Sequence, residues 1–389
     1  MLNNKFFRGN FDFPTYCTMM LLAFIGSFLV LPTAKMVNNV YYALIFLPVL
    51  VSILIKKYRK FTATPEGLLW LTLLVCYLLV GLKSADWQHF KAVAYVALFI
   101  YTASHLVSPI LFRSSLYRRT QFWVLVTYII GSTIIYWITG KYNVGERILW
   151  LPSRLNGPIY TSILLASCLA LATPAWIESK KHFALSAAIA LTIFAIGYCL
   201  QSRSGLVGLF LLLALYIIRY SISRDPKRLK IILAVILLIS SVTSLCFIFI
   251  PELSTLFSRG DSMRFELWNS LINSWRTCGW WLGCGLAFKS EHSLTGGAPI
   301  AHPHNIFLAF GLYSGLATLL IFITLMFITL LRAWRNRDPW GLYLAVALLC
   351  LNFDGSKLIG NPDELWLLVL LPAALIINKN YQKSGAVLT

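Results

Sequence analysis

Apolar runs of about 20 residues, the length that crosses a hydrocarbon core, recur along this chain from end to end. They fall near 14–34, 38–55, 63–82, 88–112, 120–139, 159–177, 183–200, 204–222, 231–250, 304–331, 340–352 and 364–378. A soluble core cannot account for twelve such runs in 389 residues. The sequence therefore predicts an all-α polytopic membrane protein of about twelve transmembrane helices. It forms a single integral-membrane domain over 1–389, and the runs at 340–352 and 364–378 are short for full spans.

Charge sharpens this reading. Hydrophobic residues make up 58% of the chain and charged residues only 12%, against about 25% in a typical soluble domain, which excludes a disordered chain. Yet 33 Lys and Arg face 14 Asp and Glu, a formal net of +19. A nucleic-acid-binding domain would need those cations on a wet surface, and there is too little polar sequence to build one. Orientation supplies another use for them, because short cytoplasmic loops collect Lys and Arg. With both termini cytoplasmic, the inside loops and termini hold 21 basic and five acidic residues; the outside holds 12 and nine. Most of the +19 is then topology, +16 inside against +3 outside.

The first apolar run is too long for the core of a cleaved signal and lacks a small-x-small site before the next run. Six of the eight cysteines, Cys17, Cys76, Cys168, Cys199, Cys246 and Cys350, sit in spans, where a small apolar side chain suffices. Cys278 and Cys284 lie in an outside loop. A disulfide between them is sterically open, but nothing in the spacing demands it.

Chemistry belongs where the chain stops resembling lipid. One long outside loop, 251–303, separates the ninth and tenth runs; smaller outside segments cover 141–159 and 352–364. Within the long loop, 261–278 reads as a helix whose Arg264, Trp268, Leu271 and Trp275 share a face. Such a helix can lie at the interface anchored by its indoles, or roof a cavity and present Arg264 to it. The loop ends in His302-Pro303-His304-Asn305. Histidines beside a span can be structural, but one with a near-neutral pKa also suits general-base work. His-x-His without a Cys or carboxylate at ligand spacing is a poor metal signature. Gln201-Ser202-Arg203-Ser204-Gly205 interrupts two apolar runs. Arg203 either snorkels to the interface or meets an anion, and phosphate suits a guanidinium fork.

Three of these features, in this order, resemble the O-antigen ligase/polymerase superfamily: a Ser-Arg-x-Gly-Leu opening to one span, an Arg-x-x-x-Trp helix in a large periplasmic loop, and Pro-His-Asn leading into the next span. The pattern His304-Asn305, nine residues, Gly315, two residues, Thr318 is similar to that of O-antigen ligases, as is Asn361-Pro362-Asp363-Glu364-Leu365-Trp366. The chain departs from the usual Arg-x-x-x-Leu form at Val207, with Leu206 one position earlier.

The resemblance covers essentially the whole chain and implies a GT-C-like, metal-independent enzyme without a cofactor. It would sit in the inner membrane of a Gram-negative bacterium, with its active site facing the periplasm. Polysaccharide would pass from undecaprenyl pyrophosphate to a sugar of lipid A–core oligosaccharide. Carried over, His304 is the base, and Arg203 and Arg264 hold the donor pyrophosphate. Arg154, in Ser153-Arg154-Leu155-Asn156-Gly157-Pro158, is a further substrate-contact candidate, or part of a structural turn. His302, Asn305, Asp354, Asp363 and Glu364 are possible supporting residues; the three acids orient a histidine or an arginine, or are simply solvated. The alternatives are an O-antigen polymerase, a protein O-oligosaccharyltransferase and, outside enzymes, a twelve-span transporter or flippase. The absence of similarity between the two halves speaks against the last.

Overall fold

A computed structural model describes residues 12–55, 64–84, 87–222, 264–289 and 302–378. Among these residues the secondary structure is helical, without a strand. In chain order the helices are α1 Phe13–Val30, α2 Ala34–Leu54, α3 Pro65–Ser84 and α4 Trp87–Tyr101, which Thr102–Leu106 continues. There follow α5 Pro109–Arg113, α6 Ser115–Ile138, α7 Pro158–Glu178, α8 His182–Cys199 and α9 Arg203–Ile222. The last four are α10 Arg264–Cys278, α11 Ile306–Arg335, α12 Trp340–Asp354 and α13 Trp366–Ile377. Seven of them are long and apolar enough to cross a membrane, and three shorter ones, within α9, α12 and α13, are apolar. The protein is an all-α polytopic membrane protein. The expected span at 231–250 lies outside the described residues.

Local chemistry sets the breaks. The run expected at 88–112 divides because Pro109 removes a backbone donor and biases Ser108 to extended φ/ψ (−74°, 117°), so α4 ends and α5 starts afresh. Ser108 N–H donates instead to Thr18 Oγ1 of α1, 3.0 Å away. Wider π-helical turns occur at Tyr42–Phe46, Thr102–Leu106, Phe194–Cys199 and Trp366–Leu370.

The most deeply buried of the seven long helices is α7, and it packs against α6, α8, α9 and α12. Its small residues, among them Ser162, Ala166, Ser167, Ala170 and Ala172, are buried. In lipid, helix association depends on close backbone approach, so a small-residue helix belongs at the centre. Around it α11 packs on α3 and α12, and α10 lies across α11. At one end of this bundle stand the starts of α7, α9 and α11 and the end of α12; the candidate site residues gather there.

Candidate active site

Two charged centres form at that end. The larger is built on Asp354, the last residue of α12, which is 2% exposed. Arg264 Nη2 donates to both of its oxygens, at 3.1 Å (Oδ1) and 3.0 Å (Oδ2). His304 Nδ1 stands 3.2 Å from Oδ1, and Ser204 Oγ donates to Oδ2. Four elements thus converge on one carboxylate: α9, α10, α12 and the residues leading into α11. Desolvating an unpaired carboxylate would be costly, and these donors offset that cost.

Backbone geometry makes the convergence possible. Asn305 is the N-cap of α11; its Oδ1 accepts from Phe307 N–H at 2.9 Å and Leu308 N–H at 3.0 Å, satisfying donors a helix start leaves orphaned. His304 precedes it with φ +52°, a left-handed conformation uncommon for a non-glycine residue. Gly355 lies so close that any Cβ would overlap the backbone of Ile306. That approach brings the end of α12 beside the start of α11, and Asp354 beside His304. Across α9, Gln201 also has positive φ and its Nε2 donates to Gly145 O at 2.8 Å, setting the turn from which Arg203 and Ser204 begin the helix.

α10 is docked from above by several contacts. Leu267, Leu271 and Trp275 are buried, and Trp268 Nε1 donates to Pro303 O at 2.9 Å. The chain then turns back through Gly279–Gly283, closed by a disulfide between Cys278 and Cys284. Cys284 N–H donates to Leu312 O at 2.7 Å, and Leu316 N–H donates to Trp280 O at 2.9 Å. Both contacts need Gly315, whose φ of 86° and ψ of 171° break α11 and open its backbone. A Cβ there would run into the carbonyl of Trp281. The helix is therefore docked on its buried face while Phe265, Trp280 and Trp281 stay exposed.

His302 packs against His304 with ring centroids 4.1 Å apart. Burial, and then the neighbouring imidazole, push its pKa down to about 4, so it is neutral near pH 7. Its Nδ1 is buried without a hydrogen-bond partner among the described residues. Arg203 occupies the first position of α9, next to Ser204 and partly buried.

Arg154 belongs to the second centre. Its Nη1 donates to Glu364 Oε1, with both side chains largely buried, and its backbone N–H donates to Leu31 O at 2.7 Å. Asp363 adjoins this pair, and its Oδ1 accepts from Leu365 N–H at 3.0 Å. Burial, with the Glu364 charge beside it, pushes the Asp363 carboxyl up to about 8 in spite of Arg154. Tyr160 at the start of α7 is within electrostatic reach of Asp354, Asp363 and Glu364.

The arrangement joins some sequence candidates and separates others. His304, Arg264, Asp354 and, through its ring, His302 form one cluster, with Arg203 a residue away from it along α9. Arg154, Asp363 and Glu364 form the other. Solvation, one of the two expectations for the acids, fails for Asp354 and Glu364, which are both buried. Ser204 and Lys357 were not singled out from sequence. Lys357 sits 4.0 Å over the Tyr313 ring and donates to Leu286 O, tying the segment after Asp354 to the chain beyond the disulfide. A cation in an outside segment was a faint signal for it; nothing distinguished Ser204. Among the described residues, no group of three His, Cys, Asp or Glu side chains is arranged to hold a metal ion.

A family model described as O-antigen ligase (Wzy_C) matches residues 187–323, the stretch that carries Arg203, Arg264 and His304. The chain is also similar to the O-antigen ligase of Pseudomonas aeruginosa, 24% identical over 352 residues, covering 87% of this chain and 84% of that protein. Both likenesses are to O-antigen ligases. Asp354 lies beyond the stretch matched by the family model, so its part in the cluster is known from the fold alone.

Proposed function

We propose that the protein is an O-antigen ligase of the Gram-negative inner membrane, with both termini cytoplasmic and the Asp354 end of the bundle facing the periplasm. It transfers O-antigen polysaccharide from undecaprenyl pyrophosphate to a hydroxyl of lipid A–core oligosaccharide, without a metal. The observation that carries this reading is the sharing of Asp354 by His304 and Arg264, a histidine and a fixed cation a few ångströms apart. Likeness to a protein named O-antigen ligase over 87% of the chain supports it.

Glycosyl transfer from a pyrophosphate requires an activated hydroxyl and a stabilised leaving group. With Nδ1–H directed at Asp354, the lone pair of His304 lies on Nε2, where it can take the acceptor's proton. The acceptor oxygen then bonds to the anomeric carbon as its bond to the phosphate oxygen breaks, and the electron pair leaves with undecaprenyl pyrophosphate. Arg264 and Arg203 neutralise the charge that grows there. The neutral His302 adds no second positive charge beside the base. A positioned base contributes roughly 10²–10⁴-fold, and each preorganised donor to developing charge about 3–4 kcal/mol.

The test is the lipopolysaccharide gel of strains carrying single variants. His304→Ala is expected to insert normally yet leave the core without O-antigen while lipid-linked polymer accumulates. Smooth lipopolysaccharide in that strain would remove the base assignment. A core bearing single repeats would move the reading to a polymerase. Arg203→Ala and Arg264→Ala are each expected to weaken transfer, with Lys a poor substitute for a bidentate fork.

A further inference from the structure

We infer that Ser204 is a positioning residue for the transfer reaction, holding the Asp354 carboxylate in the orientation that directs His304. This inference rests on the ligase reading above and assigns to it a residue outside both the base and the arginines. Ser204 is buried in the first turn of α9, and its hydroxyl donates to Asp354 Oδ2. The division of that carboxylate is informative. Oδ1 faces His304 Nδ1 and Arg264 Nη2, whereas Oδ2 is held by Ser204 and Arg264.

Arg264 is also the cation that meets the donor pyrophosphate. A guanidinium that turns toward two phosphates relaxes its hold on Asp354 when alignment matters most. Ser204 then keeps Oδ2 in place, because its side chain has one short torsion and sits on a helix rather than at the end of a long stem. A second seam keeps the helix itself in register: Ser162 Oγ of α7 donates to Ser202 Oγ at 2.6 Å, two residues before Ser204. The two hydroxyl contacts resemble each other as buried hydrogen bonds, but only one touches the carboxylate. That difference separates positioning from mere structure.

The charge effect has a definite sign. A hydroxyl donating to a carboxylate disperses its charge, so removing the donor strengthens the attraction between Asp354 and the imidazolium form of His304. Other groups near this pair are Arg264 from α10, His302 from the α11 approach, Tyr160 from α7 and Cys350 of α12, with Arg203 beside Ser204 at the start of α9. All remain in a Ser204 variant, so a shift reports the lost hydroxyl.

The experiment measures initial rates across pH for transfer of labelled undecaprenyl-pyrophosphate-linked polysaccharide to rough lipopolysaccharide by the full-length protein in detergent. Ser204→Ala is expected to lower kcat about tenfold, as loss of a hydrogen bond to a charged group does, with little change in the donor KM. The acid limb of its profile should move to higher pH. Ser204→Thr should restore both. Ser162→Ala is the control: it loses a buried hydrogen bond without touching Asp354, so its melting temperature should fall while the profile stays in place. Equal kcat loss and an unmoved profile in the two alanine variants would overturn the inference in favour of a packing role. His304→Ala, run alongside, keeps the outcomes distinct. An active His304→Ala removes the base assignment on which the role of Ser204 rests; an inactive one with an unshifted Ser204→Ala removes only the role of Ser204.

Discussion

The two ends of the bundle handle buried charge differently. At the end opposite the Asp354 cluster, carboxylates and arginines meet one to one. Arg113 Nε lies 3.0 Å from Asp338 Oδ2, and Nη2 of the same arginine also donates to Leu375 O at 2.8 Å. Arg332 meets Glu66 at 3.0 Å, and Arg118 lies 3.9 Å from the exposed Glu178. Arg332 with Glu66 and Arg118 with Glu178 each join two helices, and Arg113 joins α5 to the turn between α11 and α12; each pair is locally neutral. At the site end Arg154 and Glu364 pair in the same way, but Asp354 receives an arginine, a histidine and a serine at once. A matched pair has no charge left over and serves as a joint. A carboxylate shared among three donors fixes a histidine and a cation relative to one another, and Arg203, one residue from Ser204 on α9, adds positive charge for an incoming anion.

Matched substitutions at the two hubs would break this contrast most directly. Asp354→Ala is expected to cut transfer by about 10³-fold, near the middle of the range for a catalytic base assembly, while the protein still inserts. Asp338→Ala leaves Arg113 buried without its carboxylate and is expected to lower stability by about 3–5 kcal/mol. Rates per folded molecule should stay near those of the parent. Purified yields, melting temperatures and initial rates decide this together; an Asp338 variant as catalytically impaired as the Asp354 variant would end the contrast.

The disulfide sharpens the same comparison on a smaller scale, since among the described cysteines it is the one cross-link and it lies at the site end. Closing so short a loop is worth about 2 kcal/mol in the chain-entropy account. Replacing Cys278 and Cys284 with Ser should loosen α10 from α11, seen as faster proteolysis within 264–289. Equal cleavage in both proteins would show that the Gly315 contacts suffice alone.

The smallest expected effect concerns Asp363. Its folded pKa of about 8 is raised above the ordinary carboxylate value, chiefly by burial. Such a group favours the folded state fully below its unfolded pKa, near 4. That contribution is lost as pH rises through about 8. Asp363→Asn should therefore flatten the fall in melting temperature between those pH values. A slope identical to the parent's would place the titration elsewhere.

How far the site was legible follows from how local its signals are. His304-Asn305 and Gly315 could be read because the pattern that resembles O-antigen ligases places them within one short stretch. Arg264 was legible from helical spacing with Trp268 and Trp275. Asp354 was grouped with Asp363 and Glu364, as an acid that either orients or is solvated. What sets it apart is a contact to Arg264 across 90 residues and another to His304 across 50. Arg154 looked like a partner of Arg203 and Arg264, but the residues leading into α13 supply it with its own carboxylate, Glu364. Ser204 resembled any serine at a helix start.

The sequence alone determined the membrane class, because apolar length and sparse charge are properties of the chain itself and need no partner to have their effect. It also confined most charged residues to a few polar interruptions between the apolar runs. Which carboxylate serves the histidine, and which arginine is a joint, were decided only by the tertiary structure. Ion pairing depends on distances of a few ångströms between helix ends, and those are set by packing contacts such as Gly355 against Ile306 that no local pattern encodes.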